Sequence, residues 1–212
     1  MKDLTPEKAL IFRITHISNV PWILEHGLHC RNSPQSDPNF RAIGNVDLIA
    51  KRNHRVVPIE PGGTLSDYVP FYFTPYSIML LNIKTGYAGV PQVPNGEIAL
   101  LVSSLRRVAE LGYSFVFTNQ HAYPAAAEYF ASLKDIDRVD WPLLQSRDFR
   151  HDPDDPGKKE RYQAEALVYR HLPAEGLLGV GCAVESARQW LQNEVKKRSM
   201  KVPAVLRPGW YF

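Results

Sequence analysis

A glutamate stands inside an apolar run at Tyr162-Gln163-Ala164-Glu165-Ala166-Leu167-Val168-Tyr169. Strand alternation puts Gln163, Glu165 and Leu167 on one face, with Ala164, Ala166 and Val168 on the other. A carboxylate on a central strand has to be paired, hydrogen-bonded or used, because burying it alone is costly. On an edge strand it would be an ordinary surface glutamate. His16 falls in Arg13-Ile14-Thr15-His16-Ile17-Ser18-Asn19, where a first strand runs into a first helix. An imidazole there can meet a hydroxyl or an anion at the helix N-terminus, or simply bond to nearby backbone. Lys51-Arg52-Asn53-His54-Arg55 gathers positive charge that suits phosphates, or else forms a solvated surface. From Tyr68 to Pro75, six aromatic or prolyl rings occupy eight positions. Alternation sets Phe71 and Phe73 on one face and Tyr72 on the other. Most of these rings belong in a core, while one or two could stack on a flat heteroaromatic ring, worth roughly 1–3 kcal/mol each.

Other chemistries lack their signatures. No GxGxxG, no Walker A and no HExxH occurs in the sequence, which argues against a hydride-transferring dinucleotide fold, a P-loop enzyme and a zinc protease. Asp152, Asp154 and Asp155 could together ligate a divalent metal, but they lack an EF-hand pattern. The prolines between and beside them favour a rigid turn.

The elements that must position these residues are short. Strand-like runs occur at Ala9–Ile14, Val69–Phe73, Ile98–Val102, Phe115–Thr118, Ala164–Tyr169, Gly179–Val184 and Val202–Leu206, each rich in Val, Ile, Phe or Tyr, often with turn residues at its ends. Helices are expected over Val20–Glu25, capped by Asn19 and stopped by Gly27, over Ala125–Leu133, and over Ser186–Met200. In the last of these, Trp190, Leu191 and Val195 recur at helical spacing, and Lys196, Lys197 and Arg198 suit the negative end of the macrodipole. The pattern is that of an α+β domain. Two segments, His29–Asp67 and Gln145–Arg161, fit no regular pattern; loops of that length in a compact domain are commonly functional.

At 212 residues, 44% hydrophobic and 22% charged, the chain matches an ordinary globular protein with one full-sized core. A net charge of +3 permits a polyanionic partner without demanding one. Cys30 and Cys182 lie far apart and read as reduced packing residues. No membrane span or signal peptide is apparent, so the expected setting is cytoplasmic, with no membrane partner.

Taken in order, several longer stretches resemble the DarT family, the DNA ADP-ribosyltransferase toxins of DarT–DarG toxin–antitoxin systems. They are Lys8–Ile11, Asn19–Leu24, Gly63–Pro75, Arg147–Arg150, Glu160–Leu167 and Gly209–Phe212, so the resemblance covers nearly the whole chain. It implies a single domain over residues 1–212 with the ADP-ribosyltransferase fold, a central mixed or antiparallel sheet flanked by helices. It also implies transfer of ADP-ribose from NAD to a thymine in single-stranded DNA, no metal, and a cognate macrodomain antitoxin as partner to a monomeric toxin. Glu165 resembles the family's catalytic glutamate and Arg52 the arginine that assists it. His16, Ser18, Asn19, Gly44, Arg52 and Tyr72 are the implied NAD contacts. For the DNA, His54, Arg55, Tyr76, Arg147, Arg150 and His151 are the expected contacts, although Arg55 matches no family position. Some branches modify guanine, so the same fold acting on guanine, RNA or protein is the alternative. A non-catalytic nucleic-acid-binding module and a metal-dependent nuclease built on the Asp152–Asp155 acids are more distant ones.

Overall fold

The computed structural model of the protein describes residues 2–212. In chain order the strands are β1 (Leu10–His16), β2 (Leu28–His29), β3 (Tyr68–Tyr72), β4 (Ile98–Ser104), β5 (Phe115–Thr118), β6 (Tyr129–Phe130), β7 (Glu165–Tyr169), β8 (His171–Leu172), β9 (Gly179–Cys182) and β10 (Ala204–Leu206). Between them run α1 (Val20–His26), α2 (Val46–Arg52), α3 (Ile78–Thr85), α4 (Leu105–Glu110), α5 (Trp141–Ser146), α6 (Lys158–Arg161) and α7 (Glu185–Lys197). Among the described residues, eight strands form one sheet in the order β10-β9-β4-β1-β3-β7-β5-β6, and β2 pairs separately with β8. The large sheet is mixed: β9 and β10 are parallel, and its other neighbours are antiparallel. Each of the seven apolar runs read as strands supplies one of its strands.

The seam that matters most lies between β1 and β3. Their register is the single pair Phe12–Tyr72, whereas β3 and β7 are paired from Tyr68–Tyr169 to Tyr72–Glu165. Pro70 sits in this interior strand, where a proline usually breaks the ladder. A residue's N–H and C=O point to the same edge of its strand, and the Pro70 carbonyl accepts a bond from Arg13 Nη1 at 2.9 Å. The missing N–H therefore falls on the side where β1 and β3 have parted. The central sheet opens there, and the cavity described below lies against the opening.

One large core, including Phe71, Phe73, Ala166, Val168 and Trp141, covers one face of the strands around β7. The opposite face carries two smaller clusters, one around Leu80, Ile83 and Leu100, the other around Tyr68, Val116 and Leu167. This division follows the alternation expected for β3 and β7. Both cysteines are buried and free. No helix among the described residues is long and apolar enough to cross a membrane.

Four expectations need correction. Residues Ala125–Leu133 form turns and then β6, whose Phe130 pairs with Phe117 and stacks on it at 5.3 Å. A short alanine run is too weak a helix nucleus to resist that long-range pairing. Helical structure resumes only as a 3-10 turn over Leu133–Arg138. Asn19 stands at the N-cap position of α1 but makes no side-chain capping bond; its amide instead donates to Thr15 Oγ1 at 3.0 Å and to the Arg41 carbonyl at 2.9 Å. The two long segments also contain structure. The first holds α2, capped by Asn45 Oδ1 on the Leu48 N–H at 2.8 Å, and a Thr64–Asp67 capping box. The second holds α6, pinned by Arg161–Asp155 and Lys158–Asp148 ion pairs at 2.6 and 2.9 Å. α7 begins at Glu185 and stops at Lys197. Leu191 and Val195 are buried on it, but Trp190 faces outward.

Candidate active site

Glu165 opens β7, an interior strand, and is only 2% exposed. It is thus a buried acid on a central strand, not a surface residue on an edge. Its carboxylate is held from three sides. Arg52 Nη1 donates to Oε2 at 2.8 Å, the Ala122 backbone N–H donates to Oε1 at 3.0 Å, and His121 Nε2 lies 3.7 Å from Oε1. Thr118 Oγ1 accepts from the Glu165 backbone N–H at 3.2 Å. Burial alone would push this carboxyl up. The Arg52 charge, with His121 and the Ala122 N–H, outweighs burial and holds it below its ordinary range. Glu165 is therefore a fixed anion at neutral pH.

Arg52 is the last residue of α2 and is itself buried. Its Nη2 has no hydrogen-bond partner. Tyr72 stands directly across the β3–β7 ladder from Glu165. Burial first, then the Glu165 charge, pushes its phenol well above the usual range, so Tyr72 is a neutral ring beside an anion. Glu165, Arg52, Tyr72 and Gly44 together line a cavity of about 170 Å³.

His16 is not among the residues lining this cavity. It ends β1, buried, with the Ser18 N–H and Oγ at 3.2 and 2.7 Å from Nδ1 and Glu97 Oε2 at 3.1 Å from Nε2. The Ser18 N–H makes Nδ1 the acceptor, which leaves the proton on Nε2 facing the carboxylate. Glu97 also reaches Arg41 Nη1 at 3.5 Å. Asn19 and Glu97 together thus tie the segment around Arg41 to the end of β1. Ser18 is exposed and Asn19 buried.

The expected DNA contacts fall in two places. His54 is exposed just beyond α2, while Arg55 turns inward and donates to the Pro124 carbonyl at 3.0 Å. Tyr76 is sandwiched between Phe212, at 3.8 Å, and the Arg147 guanidinium, at 3.7 Å. Arg150 is highly exposed and paired with Asp148 at 2.8 Å; His151 beside it is exposed. Asp155 pairs with Arg161, and Asp152 reaches Lys158 at 3.7 Å. Those acids are thus engaged with cations of their own segment.

Sequence reading missed His121, Thr118 and Glu97. The polar stretch Thr118-Asn119-Gln120-His121, directly after an apolar strand, is a faint signal for the first two. Glu97 had none, because its partner lies 81 positions away.

Comparison with known proteins agrees with this architecture. The family model described as DarT, ssDNA thymidine ADP-ribosyltransferase, matches residues 12–212. A DNA ADP-ribosyl transferase of Escherichia coli O127:H6 is 52% identical over 210 residues, 99% of this chain and 96% of that protein. Thermus sp. 2.9 DarT in complex with ADP-ribosylated ssDNA shares the fold with a TM-score of 0.89 at 33% identity, over 98% of both chains. The same Thermus protein in complex with NAD+ gives 0.84 at 34% identity, over 98% of this chain and 99% of that one. Fold and relatives together define an α+β ADP-ribosyltransferase. The chain belongs to the DarT family of DNA ADP-ribosyltransferases.

Proposed function

We propose that this protein transfers ADP-ribose from NAD to a thymine base of single-stranded DNA, releasing nicotinamide. In this reading it is the cytoplasmic toxin of a pair whose other member is a macrodomain antitoxin that reverses the modification. The observation that carries the enzymatic part is the buried, ionised Glu165, fixed by Arg52 in a cavity opposite Tyr72. Family membership supports the substrate and the partner.

Breaking the bond between the ribose C1′ and the nicotinamide nitrogen leaves the bonding pair on nicotinamide and positive charge on the ribose. A preorganised carboxylate stabilises such charge at the moment it develops. Glu165 meets this need because its oxygens are fixed before substrate arrives. The thymine ring nitrogen is protonated at neutral pH and must lose that proton as its lone pair bonds to C1′. Glu165, directly or by relay, is the assigned acceptor. Arg52 has a buried N–H to spare, Nη2, which can stabilise negative charge on the diphosphate or on the deprotonating base. Gly44 and Tyr72 are assigned to NAD at the cavity wall, and His16, Ser18 and Asn19 to positioning next to it. Tyr76, Arg147, Arg150 and His151, together with His54 and Arg55, are assigned to DNA. A single-stranded substrate suits this chemistry, since the base-pairing edge is hidden in a duplex.

The test is incubation with NAD and oligonucleotides that differ in one base, read by mass. Addition of one ADP-ribose to thymine-containing strands alone is the expected result. Addition to guanine, RNA or protein instead, or no NAD consumption, would overturn the proposal.

A further inference from the structure

Glu165 is gripped at both carboxylate oxygens, and only one of the grips comes from a bonded side chain. Oε2 takes its bond from Arg52, while Oε1 takes one from the backbone N–H of Ala122 at 3.0 Å. Ala122 lies in the loop that joins β5 to β6 over residues 119–128. A backbone donor is only as well fixed as the loop that carries it. This loop is tied down at successive points. Thr118 Oγ1 donates to the Gln120 carbonyl at 2.6 Å, the His121 N–H to the Glu160 carbonyl at 2.9 Å, and Arg55 Nη2 to the Pro124 carbonyl at 3.0 Å. At its base Asn119 and Glu128 bond to each other at 3.0 and 3.2 Å. Ala122 itself is fully buried, and its carbonyl accepts from the Tyr129 hydroxyl at 2.5 Å. Its two backbone polar groups therefore serve different partners: the C=O is held by Tyr129, and the N–H is given to Glu165.

Tyr129 stands in β6 at the edge of the sheet, opposite Thr118, with its ring packed against a cluster that includes Val116, Leu167 and Ala122. Burial pushes its phenol above the ordinary value, so at neutral pH the hydroxyl keeps the proton it donates. Without that hydroxyl the buried Ala122 carbonyl loses its donor, and an unpaired buried carbonyl is costly. The loop relieves that cost by turning the carbonyl toward water, which carries the Ala122 N–H off Oε1. The carboxylate is then free to turn about its one remaining bond, to Arg52. We propose that Tyr129 is a positioning residue for transfer: through Ala122 it fixes the second oxygen of Glu165, closing from the β5–β6 side the clamp that Arg52 closes from α2. A carboxylate that must be ordered afresh in each turnover loses the advantage of a preorganised one. The role rests on the reading in which Glu165 drives transfer.

The test is Tyr129→Phe, which removes one oxygen and keeps the ring in its cluster and the backbone pairing with Thr118. Transfer to a thymine-containing oligonucleotide is measured at a temperature where the variant is fully folded. The expected result is a fall in kcat on the order of tenfold, with KM for NAD within about twofold of wild type. The second readout is the Glu165 carboxyl itself, followed by carbon-13 NMR and identified by the signal that Glu165→Gln removes. The Ala122 N–H helps to hold that carboxyl below 4.5, so in Tyr129→Phe its titration moves upward. The other titratable and charged groups facing Glu165 are Arg52 from α2, Tyr72 from β3 and His121 from the loop. Because His121 is among them, the titration is read at the carboxyl carbon and not from the activity profile. A lower melting temperature with kcat and the Glu165 titration both unchanged would make the Tyr129 bond structural only and overturn the proposal. A rise in KM with kcat kept would assign Tyr129 to substrate binding and overturn it equally. Normal transfer by Glu165→Gln would instead remove the reading of Glu165, and this inference with it.

Discussion

Glu165 keeps its charge in a buried position because its oxygens are supplied with a guanidinium and a backbone N–H. This has a consequence for stability that is separate from activity. The folded carboxyl lies below its ordinary value of 4.5. A group shifted in that direction contributes stability that is present above the unfolded pKa and is lost as pH falls through the folded one. Glu165→Gln, which cannot ionise, should therefore be less stable than wild type by about 2 kcal/mol at pH 7. The gap should close as the pH drops below about 4.5. Denaturant titration of both proteins across that range checks it, and a gap independent of pH would sever the link to ionisation. The acid itself was legible in the sequence, because a glutamate in an apolar strand run demands an explanation. Its partners were less so. Arg52 looked like one charge in a solvated run, and its burial became visible only once α2 was in place. Arg13, Glu97 and His121 act through contacts between segments remote in the chain, which no local pattern encodes.

The strands were the readable elements, since β-branched and aromatic runs bounded by turn residues announce themselves. The helices near the site were not. α2 is seven residues long inside a segment that read as a loop, and its strongest local signal, Asn45 ahead of Asp47, is a cap whose helix is too short to show a period. Over Ala125–Leu133 the reverse holds: local propensity favours a helix, and the pairing of β6 with β5 prevails. α2 nonetheless carries Arg52 at its last position, so its cap matters to the site. Removing the cap with Asn45→Ala should cost about 1 kcal/mol, seen as a lower melting temperature. It should also reduce transfer several-fold at a temperature where the variant is fully folded, because Arg52 loses its fixed position. Unchanged transfer at that temperature would mean that α2 is held by its packing alone.

Across the whole molecule, the parted β1–β3 seam, the buried acid and its cavity lie together. A separate cluster of Tyr76, Arg147, Phe149 and Phe212 packs ring against ring. The net charge of +3 is too small to make the entire surface a track for a polyanion, so the proposed binding of DNA calls for local cations, and Arg147 is the one assigned to it beside Tyr76. Both faces of Tyr76 are already covered, so a base can stack there only after Phe212 or Arg147 moves aside. Arg147→Ala should then lower the salt slope of single-stranded DNA binding by about 0.7, the share of one phosphate. Binding measured over a salt series shows this directly, and an unaltered slope would place the DNA elsewhere.

The central claim, that Glu165 drives transfer from a position Arg52 holds fixed, has its most direct test in Glu165→Gln. The measurement is the mass of a thymine-containing oligonucleotide after incubation with NAD, beside calorimetric binding of NAD to the same variant. The account predicts no detectable adduct and NAD affinity close to wild type. Near-normal transfer by the variant would contradict it.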